Sequence, residues 1–260
     1  MNFSNKTILI TGASSGIGRE IAYKLAQKTN VNLILVARNL EMLEKVAKKC
    51  ESYDNVNVKV FSVDIGQKDQ VDNLIEKLPT IDILCNAAGY GIMKDFDEFS
   101  DEMVVDMFDV NVLGTIQLTV AIAKKMKERR EGTIMTIASL LGKISTPKSA
   151  VYSATKHALL GYFNSLRLEL KQFNVHVMMV NLGPVATNFF NVADDKEGSY
   201  LKALGSKTLT PQVVAKKIII GIEKNKREVN LPKKLAIGTK LNIIFPTIGD
   251  KVLESMFKKN

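Results

Sequence analysis

Tyr152 and Lys156, in Tyr-Ser-Ala-Thr-Lys, stand four residues apart where a helical pattern opens, so they share one face. An ammonium beside a phenol favours the phenolate and draws its pKa from about 10 toward neutrality. Such a pair can deliver or remove a proton at ordinary pH. Ser139 follows a short apolar run, and its hydroxyl could hydrogen-bond the oxygen of a reacting group. Asn111 lies in an otherwise apolar helical pattern, among Met107, Val110, Val112 and Leu113. A buried amide there costs stability unless partners meet it. Each feature alone is ordinary; in combination they suit proton transfer at a carbonyl or alcohol oxygen.

A second group of residues suits a phosphate. Thr11-Gly12-Ala13-Ser14-Ser15-Gly16-Ile17-Gly18 leaves a short apolar run and enters a helical pattern. Glycines allow a tight strand-to-helix turn and a close backbone approach to a pyrophosphate, which the helix N-terminus then attracts. The stretch lacks the Gly-Lys-Ser/Thr ending of a P-loop, which disfavours nucleoside triphosphate hydrolysis. The second apolar run ends Leu35-Val36-Ala37-Arg38-Asn39, with no carboxylate to accept from a ribose 2′-hydroxyl. Arg38 can instead fork onto a 2′-phosphate, so NADP(H) is expected in preference to NAD(H). The missing acid also counts against a methyltransferase.

The elements that must carry these residues alternate. Seven apolar runs read as strands: Thr7–Ile10, Asn32–Val36, Val58–Ser62, Ile81–Asn86, Thr133–Ala138, Val175–Asn181 and Glu228–Leu231. Helical patterns fall between them at Gly16–Lys28, Leu40–Cys50, Lys68–Lys77, Glu102–Arg129, Tyr152–Gln172 and Pro211–Lys224. Strands of continuous Ile, Leu and Val are covered on both faces. The expected fold is therefore α/β, a doubly wound parallel sheet with helices on both faces, in a single domain over 1–260. Its ligands would bind beyond the carboxyl ends of the strands.

Composition narrows the partners. The 260 residues are 46% apolar and carry a net charge of +9. The basic residues are scattered in pairs such as Lys48–Lys49, Lys124–Lys125 and Lys233–Lys234, with no clustered basic helix, so no nucleic-acid partner is expected. Cys50 and Cys85 lack metal-ligand spacing, no metal site is expected, and Cys85 reads as core. The polar start Met1–Lys6 shows no signal peptide, and apolar stretches are broken short of the ~20 residues of a membrane span. The expectation is a cytoplasmic protein.

These motifs together resemble the short-chain dehydrogenase/reductase superfamily. The Thr11–Gly18 stretch, Asn86-Ala87-Ala88-Gly89, Asn111, Ser139 and Tyr152–Lys156 match it in order and spacing over about residues 5–230. The resemblance implies a seven-stranded Rossmann-type sheet and an Asn–Ser–Tyr–Lys tetrad. In that reading Tyr152 protonates the carbonyl oxygen as hydride arrives from the nicotinamide. Lys156 also holds the nicotinamide ribose, Ser139 positions the carbonyl, and Asn111 orders a water that relays protons to Lys156. The cofactor would meet Gly12, Ser14, Ser15, Gly16, Ile17 and Gly18. Asp64 and Ile65 would face adenine, Asn86, Ala87, Ala88 and Gly89 would line the cofactor, and Arg38 matches NADP-preferring members. Gly183, Val185 and Thr187, in Gly-Pro-Val-Ala-Thr, would lie at the carboxamide. One departure is Leu182 where members commonly carry Pro.

On the substrate side, residues 188–209 would cover the ligand, with Phe189, Phe190, Tyr200, Leu201 and Leu204 as an apolar wall or as core. Tyr90, Ile92, Met93, Leu140 and Leu141 would border the same pocket. A neutral, fairly apolar ketone or aldehyde is expected, or the corresponding alcohol. The tail 232–260 mixes Leu241, Ile243, Ile244, Phe245 and Ile248 with lysines, and Pro246 and Gly249 are expected to break any long helix. Packing on the protein is favoured for it, with a subunit contact or a peripheral membrane contact left open. The long helix around Asn111 and the small residues Ala154, Ala158 and Gly161 resemble a subunit interface, implying a homodimer or homotetramer. Competing readings are an NAD-dependent alcohol dehydrogenase and a non-catalytic NAD(P)-binding sensor or scaffold.

Overall fold

Each apolar run becomes a strand, and the runs are continuous because both faces of every inner strand are covered. The computed structural model describes residues 2–28, 30–193 and 208–258. In chain order the elements are β1 (Thr7–Thr11), α1 (Gly16–Ala26), β2 (Val31–Ala37), α2 (Leu40–Glu51), β3 (Val56–Ser62), α3 (Lys68–Lys77) and β4 (Ile83–Asn86). Then come α4 (Asp101–Phe108), a π-helical segment (Asp109–Gly114), α5 (Thr115–Arg129), β5 (Gly132–Ser139), a 3₁₀ turn (Leu140–Gly142) and α6 (Ala150–Lys171). The chain continues through β6 (Val175–Leu182), α7 (Phe189–Ala193), α8 (Pro211–Glu223), β7 (Glu228–Leu231), α9 (Lys233–Ile244) and α10 (Pro246–Lys258).

The seven strands are all parallel, in the order β3-β2-β1-β4-β5-β6-β7. Strand order reverses between β1 and β4, which opens a crevice beyond their carboxyl ends. Leu25 of α1, Leu43 of α2 and Ile218 of α8 lie in the core on one face of the sheet. Leu74, Leu118, Ile122 and Phe163 fill the other, beneath α3, α5 and α6. Caps begin the helices where sequence places them: Asn39 accepts from the Met42 amide, Ser100 from Met103, and Thr210 from Val213 with Pro211 following. Strand β4 starts at Ile83 rather than Ile81 because Asp82 turns its carboxylate onto the Thr7 amide, 2.8 Å away. Cys50 and Cys85 are both buried, and desolvation pushes each thiol up to about 12.

Three expectations need correction. Glu102–Arg129 is not one regular helix: α4 and α5 meet through the π-helical segment that carries Asn111. The run Asp101–Arg129 is also long and apolar enough, by length and composition, to cross a membrane, contrary to the reading that no stretch is. Here its buried side, including Met107, Leu118, Ile122 and Met126, packs against the protein. In the tail, Pro246 opens α10 in the first-turn position that proline tolerates, while Gly249 lies inside that helix. A Cβ at Gly249 would run into the Asn242 side chain of α9, so this glycine serves helix contact rather than helix termination.

Candidate active site

The crevice between β1 and β4 continues into a cleft of ≈ 890 Å³. Its floor is the turn after β1. Gly12 has φ +66°, and a Cβ there would stand 2.8 Å from the Ala88 backbone; at Gly18 it would strike the Gly12 carbonyl. Those positions admit no side chain. The bare turn and the N-terminus of α1 form a cradle that fits a pyrophosphate by free amides and dipole. Ser14, Ser15, Gly16 and Ile17 line it, with Ala87, Ala88 and Gly89 on the β4 side and Gly183, Val185 and Thr187 at the far end. A methyl at Gly16 would lie 3.4 Å from Thr187, so the two ends of this wall nearly touch.

Arg38, Asp64 and Ile65 stand at the other end, beyond β2 and β3. Arg38 is 73% exposed and lies 3.8 Å from the Asp64 carboxylate, a weak surface pair that leaves the guanidinium free to fork elsewhere. Asn39 is committed to capping α2.

Asn86 does not line the cleft. It is buried, and its amide donates to Thr119 on α5 (2.9 Å) and Thr136 on β5 (3.2 Å), tying the sheet to the helix. Its side chain therefore turns away from the cleft, whose lining on this side begins at Ala87. The latch of that turn is Thr11, which sequence reading passed over. Its hydroxyl oxygen accepts from both the Ala87 and Ala88 amides at 3.1 Å.

Ser139, Tyr152 and Lys156 converge on the deep end of the cleft. The helix carrying the last two is set by a hydroxyl ladder, also missed: Ser149 lies 2.9 Å from Ser153, and its oxygen accepts from the Thr146 amide at 3.1 Å. Lys156 is buried, with its Nζ 5.5 Å from the Tyr152 ring centroid and 3.5 Å from the Ile137 carbonyl to which it donates. Desolvation lowers its pKa from 10.5 to about 8. Asn111 accepts from the Tyr90 amide (3.0 Å) and donates to the Tyr90 carbonyl (2.8 Å) and Thr155 (3.2 Å). That side chain fixes the Gly89–Tyr90 turn and leaves little to offer a water; π-helical segments are common at such sites. Ser139 donates to the Leu182 carbonyl at 3.2 Å and accepts from the Leu141 amide at 3.1 Å.

Apolar groups close the substrate end. The Tyr152 ring packs on Phe189 with centroids 5.5 Å apart, and Phe189 on Phe190 at 5.1 Å. Met93, Tyr90, Leu140 and Leu141 join them, whereas Ile92 packs behind. Tyr200, Leu201 and Leu204 lie outside the described residues. The inner side of α9 and α10 completes the wall through Leu235, Leu253 and Met256. Lys143, just beyond the Ser139 turn, donates to Glu228 (2.7 Å) and Asn230 (3.2 Å) on β7, and Asn181 donates to Asn230 (2.8 Å).

A parallel seven-stranded sheet whose crevice holds a glycine cradle and a tyrosine–lysine pair defines an NAD(P)-dependent oxidoreductase of Rossmann type. The chain belongs to the short-chain dehydrogenase family, whose model matches residues 6–198. It is 34% identical over 231 residues, 86% of this chain and 89% of the relative, to an NADP-dependent 3-hydroxy acid dehydrogenase of Schizosaccharomyces pombe. A short-chain dehydrogenase from Streptomyces avermitilis superimposes with a TM-score of 0.81 at 26% identity, covering 95% of each chain. L-sorbose reductase from Gluconobacter frateurii, complexed with NADPH and L-sorbose, superimposes with a TM-score of 0.79 at 25% identity over 89% of this chain and 96% of that one.

Proposed function

We propose that this chain is an NADPH-dependent reductase of neutral, fairly apolar ketones or aldehydes, able to run the reverse alcohol oxidation. The carrying observation is the placement of Tyr152: Lys156 lies behind its ring, Phe189 beside it, and the cleft it faces is continuous with the glycine cradle. A reduced nicotinamide cofactor held there would supply hydride. Tyr152 gives its hydroxyl proton to the carbonyl oxygen. Lys156 favours the resulting phenolate by charge and holds the ribose hydroxyls. Ser139 turns its proton from the Leu182 carbonyl to the substrate oxygen, and Asn111 keeps the Gly89–Tyr90 turn in place.

Arg38 supports the preference for the 2′-phosphate, and two similar proteins carry NADP or NADPH in their names. A neutral substrate is favoured over the hydroxy acid of the fission-yeast relative. Among the described residues the charged groups lining the cleft are Arg38, Asp64 and Lys156, and the first two stand at the cofactor's far end. Among the described residues, no cation near Tyr152 remains for a substrate carboxylate. The outward Val105 on α4, Leu113 on the π-helical segment and Leu168 on α6 support a homodimer or homotetramer through those helices.

The test is a carbonyl panel followed by NADPH absorbance, with Tyr152→Phe beside the wild type. Turnover should fall about a hundred- to ten-thousandfold while NADPH binding persists. Equal rates in the two proteins would remove the acid/base assignment, and retained NADPH binding with no turnover in either would favour a sensor.

A further inference from the structure

Among the described residues, seven of the thirteen exposed large apolar side chains fall between Ile237 and Val252. They come from α9, α10 and the Phe245 link between them, and the two helices already turn Leu235, Leu253 and Met256 into the cleft. These helices are therefore apolar on two sides, one toward the site and one toward the outside. An exposed apolar patch rimmed with polar groups marks a contact surface.

The charge says what it contacts. Helix α9 carries Lys233, Lys234 and Lys240 and no acid. Lys233, Ile237, Lys240, Leu241 and Ile244 recur at helical spacing, so lysines and large apolar residues alternate along one exposed face. None of the three lysines is in an ion pair among the described residues. A second copy of the chain fits poorly, since a two-fold contact would set this basic face against itself. An anionic lipid surface fits both parts: isoleucines enter the acyl boundary while flexible lysine stems reach the headgroups.

We propose that α9 and α10 dock this protein peripherally on anionic membranes, with the mouth of the cleft in the docking face. Leu241, Phe245, Ile248 and Val252 are exposed and at the same time line the cleft. An apolar substrate dissolved in the lipid would then reach the site without crossing water. Docking stands on the tail alone and holds whether or not the redox assignment does.

The experiment is co-sedimentation of the full chain with phosphatidylcholine vesicles, with and without phosphatidylglycerol, at about 0.1 M and about 1 M salt. Binding should be at least ~10-fold tighter to the anionic vesicles at low salt, and weakened at high salt. The double variant I237E/I244E should lose at least ~10-fold in vesicle binding. Neither residue lines the cleft, so its NADPH fluorescence titration should match the wild type, which also shows that it is folded. A second variant, K233Q/K234Q/K240Q, should lose the preference for anionic lipid. Absence of binding to anionic vesicles, or binding unchanged in both variants, would overturn the proposal. So would I237E/I244E dissociating a dimer or tetramer on size-exclusion chromatography with no vesicle binding by the parent, which would make the face a subunit contact.

Discussion

Gly91 lies flat against the ring of Tyr152. A Cβ at this position would stand 2.8 Å from Tyr152 Cδ2 and equally close to Phe189 Cζ. The missing side chain is what lets the Gly89–Met93 segment close over the phenol. In Gly91→Ala the ring must shift, and small misplacements of a reacting group are expensive. Steady-state kinetics should show kcat reduced about ten- to a hundredfold with NADPH affinity unchanged. A wild-type kcat in this variant would mean that the segment is slack.

Lys156 gives a pH signature. Its pKa falls from 10.5 in the unfolded chain to about 8 in the folded one, because burial opposes the charged form. The unfolded state therefore binds the extra proton between those values, and stability lost to the buried charge is recovered as pH rises through them. At pH 7 the charge costs ~3 kcal/mol. The cofactor-free Lys156→Met protein should accordingly be more stable than wild type at pH 7, by an amount that shrinks between pH 8 and 10.5. Denaturant melts across that range measure it; a constant difference would show that Lys156 is not desolvated.

Arg38→Asp should reverse the cofactor preference. The substitution removes a donor to a 2′-phosphate and installs an acceptor for a 2′-hydroxyl, next to Asp64 at the same end of the cleft. NADPH affinity should fall roughly ten- to a hundredfold, the worth of a charged hydrogen bond. Titration by nicotinamide fluorescence is clean here because the chain has no tryptophan. An unchanged NADPH-to-NADH ratio would take Arg38 out of the site.

Thr11→Val keeps the shape of the side chain and removes the acceptor for two amides. The protein should lose about 1–3 kcal/mol in denaturant melts, with weaker NADPH binding as Ala87 and Ala88 drift. Thr11→Ser should restore most of both.

The fold was legible because strands buried on both faces write themselves as unbroken Ile, Leu and Val, as Leu33–Val36 and Val177–Val180 do. The chemical residues were legible because their spacing is tied to element boundaries: Tyr152 and Lys156 one helical turn apart, Gly12 to Gly18 spanning one strand-to-helix turn. What escaped were residues whose work is relational. Thr11 and Gly91 act on segments dozens of positions away, and no local pattern announces a distant amide or ring; Ser149 acts nearby, on Thr146 and Ser153, but serines just before a helix give no sign of such a ladder. For Asn86, motif membership does not say which way a strand residue points. In the tail Pro246 does part the two helices, but Gly249 was misjudged because it reads locally as a helix breaker, while its packing partner Asn242 belongs to the preceding helix.

The root of the tail has a mechanical consequence. Pro232 and Leu235 fill the space above Gly183, 3.0 and 3.1 Å from where a Cβ would be, and Lys143 ties the turn after Ser139 to Glu228 and Asn230 just upstream. The first turn of α9 thus packs on the Gly183 loop, and the strand just before it is tied to the turn after Ser139. It cannot pivot as a loose arm. A load that tilts it presses on the Gly183 loop and pulls on the strand that holds Lys143, so a force felt outside is passed toward Ser139 instead of being absorbed in a hinge.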